Sequence, residues 1–188
     1  HQDGHGGPPP LKMMNRWFTR YLFGLENKVE KDPNAWIVRE NDTQQNPTPY
    51  KSYPNPDASF VSLSLQAGGQ KKGGLSLKKN KIKTLEKLTD DYSYDGSTLA
   101  KAKNSKHRLL YLSPVLKQDI HLSGLSSLTI RVASSKKAAN LSVWLVSFPW
   151  NDNPKAKITE NIITRGWADI QNYKSLNESS DLIPDKFY

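Results

Sequence analysis

From Leu11 to Leu25 the apolar side chains of Leu11, Met14, Phe18, Tyr21, Leu22 and Leu25 recur at steps of three and four. From Trp36 onward that period gives way to short alternating runs. Steps of three and four put side chains on one face of a helix, whereas alternation puts them on one face of a strand. The chain is therefore constrained to start with an amphipathic helix and to continue as sheet. Lys12, Arg16, Thr19 and Arg20 fall off the apolar stripe, Pro10 sits near the first turn and Gly24 near the end. The pattern predicts a helix over about residues 8–25. One face of it needs a partner, and the Gly- and Pro-rich stretch before it, with Gly4, Gly6, Gly7 and Pro8 to Pro10, is too short to supply one.

Beyond residue 35 the β-prone runs are residues 35–38, 59–65, 109–112, 128–132 and 141–148, separated by clusters of Pro, Asn, Asp, Gly and Ser. Val61, Leu63 and Leu65 share one face, as do Leu128, Ile130 and Val132, while residues 141–148 are apolar on both faces. Many short strands with one substantial helix predict an antiparallel β-sandwich. Leu63, Leu65, Ile130, Val132, Val143 and Leu145 are its expected buried side chains. Five to seven strands can be placed where a jelly roll needs about eight. The first residue is His and the last four, Asp185 to Tyr188, stand where another strand would start. The expectation is a piece of a longer chain, cut at both ends.

With 188 residues, 36% hydrophobic side chains and a mean hydropathy of -0.71, one domain plus part of another is the most the chain should hold. The absence of cysteine excludes a disulfide framework, a Cys-ligated zinc site and a cysteine nucleophile. The longest apolar run is far short of the ~20 residues a bilayer requires, so no membrane partner is expected. The net charge is +9, and residues 71–108, with eleven basic and four acidic side chains, carry +7 of it. That stretch has no arginine cluster, basic helix or aromatic platform, so it reads as solvated loops and strand edges rather than a nucleic-acid surface.

Chemistry-bearing motifs are sparse. His1 and His5 stand in a Gly-rich loop before the helix, from which a side chain can reach a cleft built by other elements. His107 and His121 stand singly in strand-like surroundings, and no metal or cofactor site is expected. A Gly-x-Ser-x-Gly nucleophile elbow is absent; the nearest approach, Ser123 to Ser127, lacks the second glycine. Asp91 to Gly96 resembles the start of a calcium loop, but position twelve is Ala102 instead of a bidentate carboxylate, so a hairpin turn at Asp95-Gly96 is expected. Of the five tryptophans, Trp17 and Trp144 read as core, while Trp36, Trp150 and Trp167 could be either core or sugar-stacking platforms.

The order of these features resembles a known family. His1-Gln2-Asp3-Gly4-His5-Gly6-Gly7 is followed by a helix containing Asn15-Arg16-Trp17-Phe18 and Tyr21-Leu22-x-Gly24, then by Trp36-Ile37-Val38. Further on come residues 113–124, the runs 128–132 and 140–146, and Ile163-Thr164-Arg165-Gly166-Trp167-Ala168-Asp169, similar to the family's Thr-Arg-Gly turn. Together they resemble the Xaa-Pro dipeptidyl-peptidase and cocaine-esterase-like serine hydrolases over nearly the whole chain. That resemblance implies that residues 1–33 are the last loop and helix of an α/β-hydrolase domain. Residues 34–188 would then be a truncated, antiparallel jelly-roll (galactose-binding-like) sandwich.

By the same resemblance His5 is the catalytic histidine of a Ser-Asp-His triad, and His1 supports its loop. The serine and the acid precede the histidine in such enzymes, so both would lie upstream, and residues 1–188 alone would be inactive. The implied substrate is a peptide with a penultimate proline; esters and acyl amides are the substrates of related enzymes, and a homo-oligomer stays open. The alternative is a free-standing carbohydrate-binding β-sandwich, which would have no use for a histidine loop and an amphipathic helix.

Overall fold

In the computed structural model, residues 10–39, 42–79, 85–153 and 155–188 are described. The first helix, α1, spans Pro10–Phe23 within the range the apolar stripe predicts. It ends at Gly24, whose left-handed backbone (φ 68°) lets its amide donate to the Arg20 carbonyl at 3.0 Å and lets Leu25 donate to that of Thr19. Glycine takes this conformation without the steric cost a Cβ would bring.

The chain divides into two units. The first comprises residues 1–60 with 119–125. Here α1 is tied through its polar face to the segment that follows it. Arg16 donates to Asp32 and to the Asn27 carbonyl, Asn27 donates back to the Arg16 carbonyl at 2.6 Å, and Arg20 pairs with Glu26 and Glu30. Val29, on a single 3-10 turn in that segment, is buried. The apolar stripe is left open: Met14, Phe18 and Leu22 are 48%, 47% and 71% exposed. Beyond the helix, β1 (Ala35–Ile37) pairs antiparallel with β2 (Thr48–Tyr50). Asn55 donates its amide to the Ser123 hydroxyl, which joins residues 119–125 to this unit.

The second unit, residues 61–118 and 126–188, contains the other described strands, in two separate sheets. β3 (Ser64–Leu65) pairs antiparallel with β4 (Gly73–Ser76), and β4 pairs in parallel with β5 (Tyr111–Leu112). β6 (Asn140–Val146) and β7 (Ile162–Asp169) form an antiparallel ribbon. A second α-helix, α2, is the short Gly96–Lys101. Ile170 and Leu182 are buried, and the buried Asn161 bridges the Ser147 and Pro149 carbonyls at 3.0 and 3.1 Å.

The described residues are thus β-rich with few helices, as the alternating runs predict, but four details differ. The β4–β5 pair is parallel. Residues 128–132 form no strand, and Val132 instead exchanges both backbone bonds with Tyr188. The Thr-Arg-Gly segment is the interior of β7 rather than a turn, with Gly166 opposite Val143. None of the six expected core side chains is buried: Leu63, Ile130 and Val143 are exposed, and Leu65, Val132 and Leu145 are half-buried. Alternation selects a face for burial, but covering that face requires a second layer, and β6–β7 is a two-stranded ribbon.

Candidate functional site

His1 and His5 lie outside the described residues. His107 is half-buried, its Nδ1 is 2.8 Å from the Thr89 carbonyl, and its ring lies 5.0 Å from that of Tyr94. These are the contacts of a histidine that fastens a loop. His121 faces Tyr50 at 6.3 Å between ring centroids. Ser123 accepts from the Asn55 amide, a structural use of its hydroxyl.

The calcium-like loop is built otherwise than its sequence suggests. Asp91 accepts from the amide and hydroxyl of Ser93. Asp95 caps α2, accepting from the Ser97 and Thr98 amides at 2.8 and 3.0 Å and from the Thr98 hydroxyl. Those donors hold the Asp95 carboxyl below its usual range, the Thr98 hydroxyl foremost. The expected hairpin turn at Asp95-Gly96 is therefore a helix start. An aspartate that satisfies two free amides of a first turn stabilises it as a cap. No cluster of three metal-ligating side chains occurs among the described residues.

Among the described residues, one polar cluster joins parts of the chain that no motif links. The Glu86 carboxylate accepts from the Gly68 and Gly69 amides at 2.6 and 2.8 Å and from the Tyr111 hydroxyl. Burial opposes its charged form, but the hydroxyl and the two amides outweigh it and hold the carboxyl below the usual glutamate range. Burial, reinforced by Glu86, pushes the Tyr111 phenol strongly up. Nearby, Arg108 places its guanidinium on four carbonyl oxygens, those of Leu99, Ala102, Gly69 and Lys71. Two of these close the C-terminal end of α2 and two belong to the turn between β3 and β4. At Gly73 a Cβ would come within 2.6 Å of both the Gln66 carbonyl and the Tyr111 ring, so only glycine lets β4 pass here. The cluster holds backbone in place and has no free nucleophile.

Among the tryptophans, Trp144 is half-buried against Gly96, Trp150 meets Phe148 edge-on at 5.9 Å, and Trp36 is half-buried on β1. Trp17 is exposed beside Tyr21, contrary to its expected core position. Trp167 is 68% exposed on β7, with the Arg165 guanidinium 5.2 Å from its ring.

Residues 27–188 match the family model of the X-Pro dipeptidyl-peptidase C-terminal non-catalytic domain. A protein of Rhodopirellula baltica is 50% identical across the whole chain, and one of Bacillus anthracis is 30% identical, also across all of it. One of Lacticaseibacillus rhamnosus is 29% identical over 86% of the chain. All three carry the name Xaa-Pro dipeptidyl-peptidase. The chain spans 30% of the length of each of the first two relatives and 20% of the third. No solved structure matches the chain. A match over residues 27–188, together with relatives aligned along the full chain, means that this protein belongs to the X-Pro dipeptidyl-peptidase C-terminal domain family.

Proposed function

We propose that the chain is the C-terminal part of a serine hydrolase that releases X-Pro dipeptides from peptide N-termini. Residues 1–33 supply the catalytic histidine loop and the last helix of its α/β-hydrolase domain, and residues 34–188 the jelly-roll domain behind it. The observation that carries this reading is where the family match begins. The match to the non-catalytic domain begins at residue 27, so residues 1–7 and α1 lie before it, and the chain spans 30% of the length of its Rhodopirellula baltica relative. The open apolar stripe of α1 supports it too, since a helix with such a stripe normally packs it against a core.

In this reading His5 takes the proton of a serine supplied by the preceding part of the protein and later returns it to the leaving amine. An aspartate from that same part fixes the His5 tautomer and stabilises the imidazolium. Residues 1–188 contribute the base but neither the nucleophile nor the acid, so alone they are inactive. The test is to assay the full-length protein and residues 1–188 on an X-Pro anilide and on its X-Ala counterpart. The full-length protein should prefer the proline substrate and be inactivated by a fluorophosphonate at one serine, and residues 1–188 should do neither. Turnover insensitive to the fluorophosphonate would contradict the serine mechanism.

A further inference from the structure

In the second unit, a hollow of about 340 Å³ opens between Gln70-Lys71 on one wall and Asn104, Ser105 and Lys106 on the other. Both walls are held by backbone bonds, to each other and to neighbouring segments. The Ser105 amide donates to the Gln70 carbonyl at 2.9 Å, and the Lys71 amide to the Gly68 carbonyl at 2.9 Å. Arg108 holds the Lys71 carbonyl at 3.2 Å, and the Lys106 carbonyl accepts from Thr89 at 2.8 Å. Two lysines therefore stand on pinned backbone with exposed side chains.

Their charge is not cancelled at contact. Among the described residues neither ammonium has a carboxylate within 4 Å, and the ion pair of a lysine is that of Lys137 with Asp181. Of the four acids in the basic stretch, Glu86, Asp91 and Asp95 direct their oxygens at amides and hydroxyls of their own surroundings, and Asp90 is exposed. Asp91 is within electrostatic range of Lys106 and His107, but its bonds go to Ser93.

We propose that this hollow docks an acidic peptide segment, with Lys71 and Lys106 facing its carboxylates. The lining favours carboxylates on a peptide over nucleic acid. The one arginine nearby has its guanidinium committed to four carbonyls, and the lining holds no aromatic ring on which a base could stack. Beside the two lysines the lining carries the Asn104 amide and the Ser105 hydroxyl, groups that suit carboxylates and peptide backbone alike.

The test uses the full-length protein and fluorescence anisotropy of a labelled oligoglutamate peptide, with oligothymidylate of equal charge as the competing class. Lys71→Glu with Lys106→Glu should weaken peptide binding about tenfold, and Lys78→Glu with Lys79→Glu, the same charge change elsewhere in the stretch, less than twofold. Binding should weaken as salt rises. If circular dichroism shows the first pair misfolded, Lys71→Gln with Lys106→Gln replaces it, with about threefold weakening expected. Equal losses in the two lysine pairs would mean a diffuse field and overturn the proposal. So would tighter binding of oligothymidylate than of the peptide.

Discussion

Helix α1 carries the clearest apolar stripe in the chain and buries none of it, whereas the Glu86–Arg108 cluster joins strands of two to four residues and leaves few of its polar groups unengaged. Among the described residues, the side-chain bonds that fix the helix come from its charged face, from Arg16 and Arg20. The cluster is fixed by one carboxylate and one guanidinium, each shared among three or four backbone or hydroxyl partners. A stripe states which face must be covered but not by what. A shared polar group states which segments meet, and it does so without a large apolar area. The two regions should therefore respond differently to the rest of the protein, and that difference can be attacked directly.

The largest expected effect falls on the helix. If the preceding domain covers the stripe, Phe18→Ala should cost about 3 kcal/mol in the full-length protein, as for a buried aromatic. In residues 1–188 alone the same change should cost less than about 0.5 kcal/mol, as for a surface substitution. Urea unfolding of both lengths measures the difference, and equal small costs would mean that the stripe stays open. The cluster should behave in the opposite sense. Arg108→Ala leaves four carbonyls to find other donors and should cost about 2 kcal/mol at either length.

Glu86→Gln should be milder, about 1–2 kcal/mol at pH 7 in denaturant melts, because the amide keeps one acceptor and loses the charge. Its pH dependence has a definite sign. The Glu86 pKa is lowered on folding, so its stabilisation is complete above the ordinary glutamate value of about 4.3 and fades as pH falls through the lower folded value. Wild type and Glu86→Gln should therefore converge in acid; a gap that widens there would refute the assignment. Smallest of all, Asp95→Ala should speed amide exchange at Ser97 and Thr98 about fivefold and leave the global unfolding midpoint nearly unmoved.

The same contrast explains what could be read from the sequence. Helix α1 was legible because its signal is local and periodic, with Pro10 and Gly24 near its ends. The β-rich character of the remainder was legible from alternation and turn residues, and β6 overlaps the apolar run at 141–148. The Asp95-Gly96 pair misled because an aspartate before glycine serves a hairpin and a helix cap equally well, and Thr98, whose amide and hydroxyl decide for the cap, is not a standard cap signal. The Glu86 cluster was invisible because its partners lie 17 to 25 residues away, and a lone glutamate in a lysine-rich stretch looks like surface. Residues 128–132 alternate like a strand, yet Val132 pairs with the last residue of the chain, a contact that no local pattern encodes.

The central claim is that this chain brings the catalytic base, and it rests on His5. The most direct test is turnover of an X-Pro anilide by the full-length protein with each histidine replaced in turn. His5→Ala should lower kcat by about 10⁴ or more with unchanged folding, the loss seen when a triad member is removed. His1→Ala should cost less, and His107→Ala and His121→Ala should leave turnover nearly untouched. Near wild-type turnover by His5→Ala would contradict the account and make His1 the next residue to test.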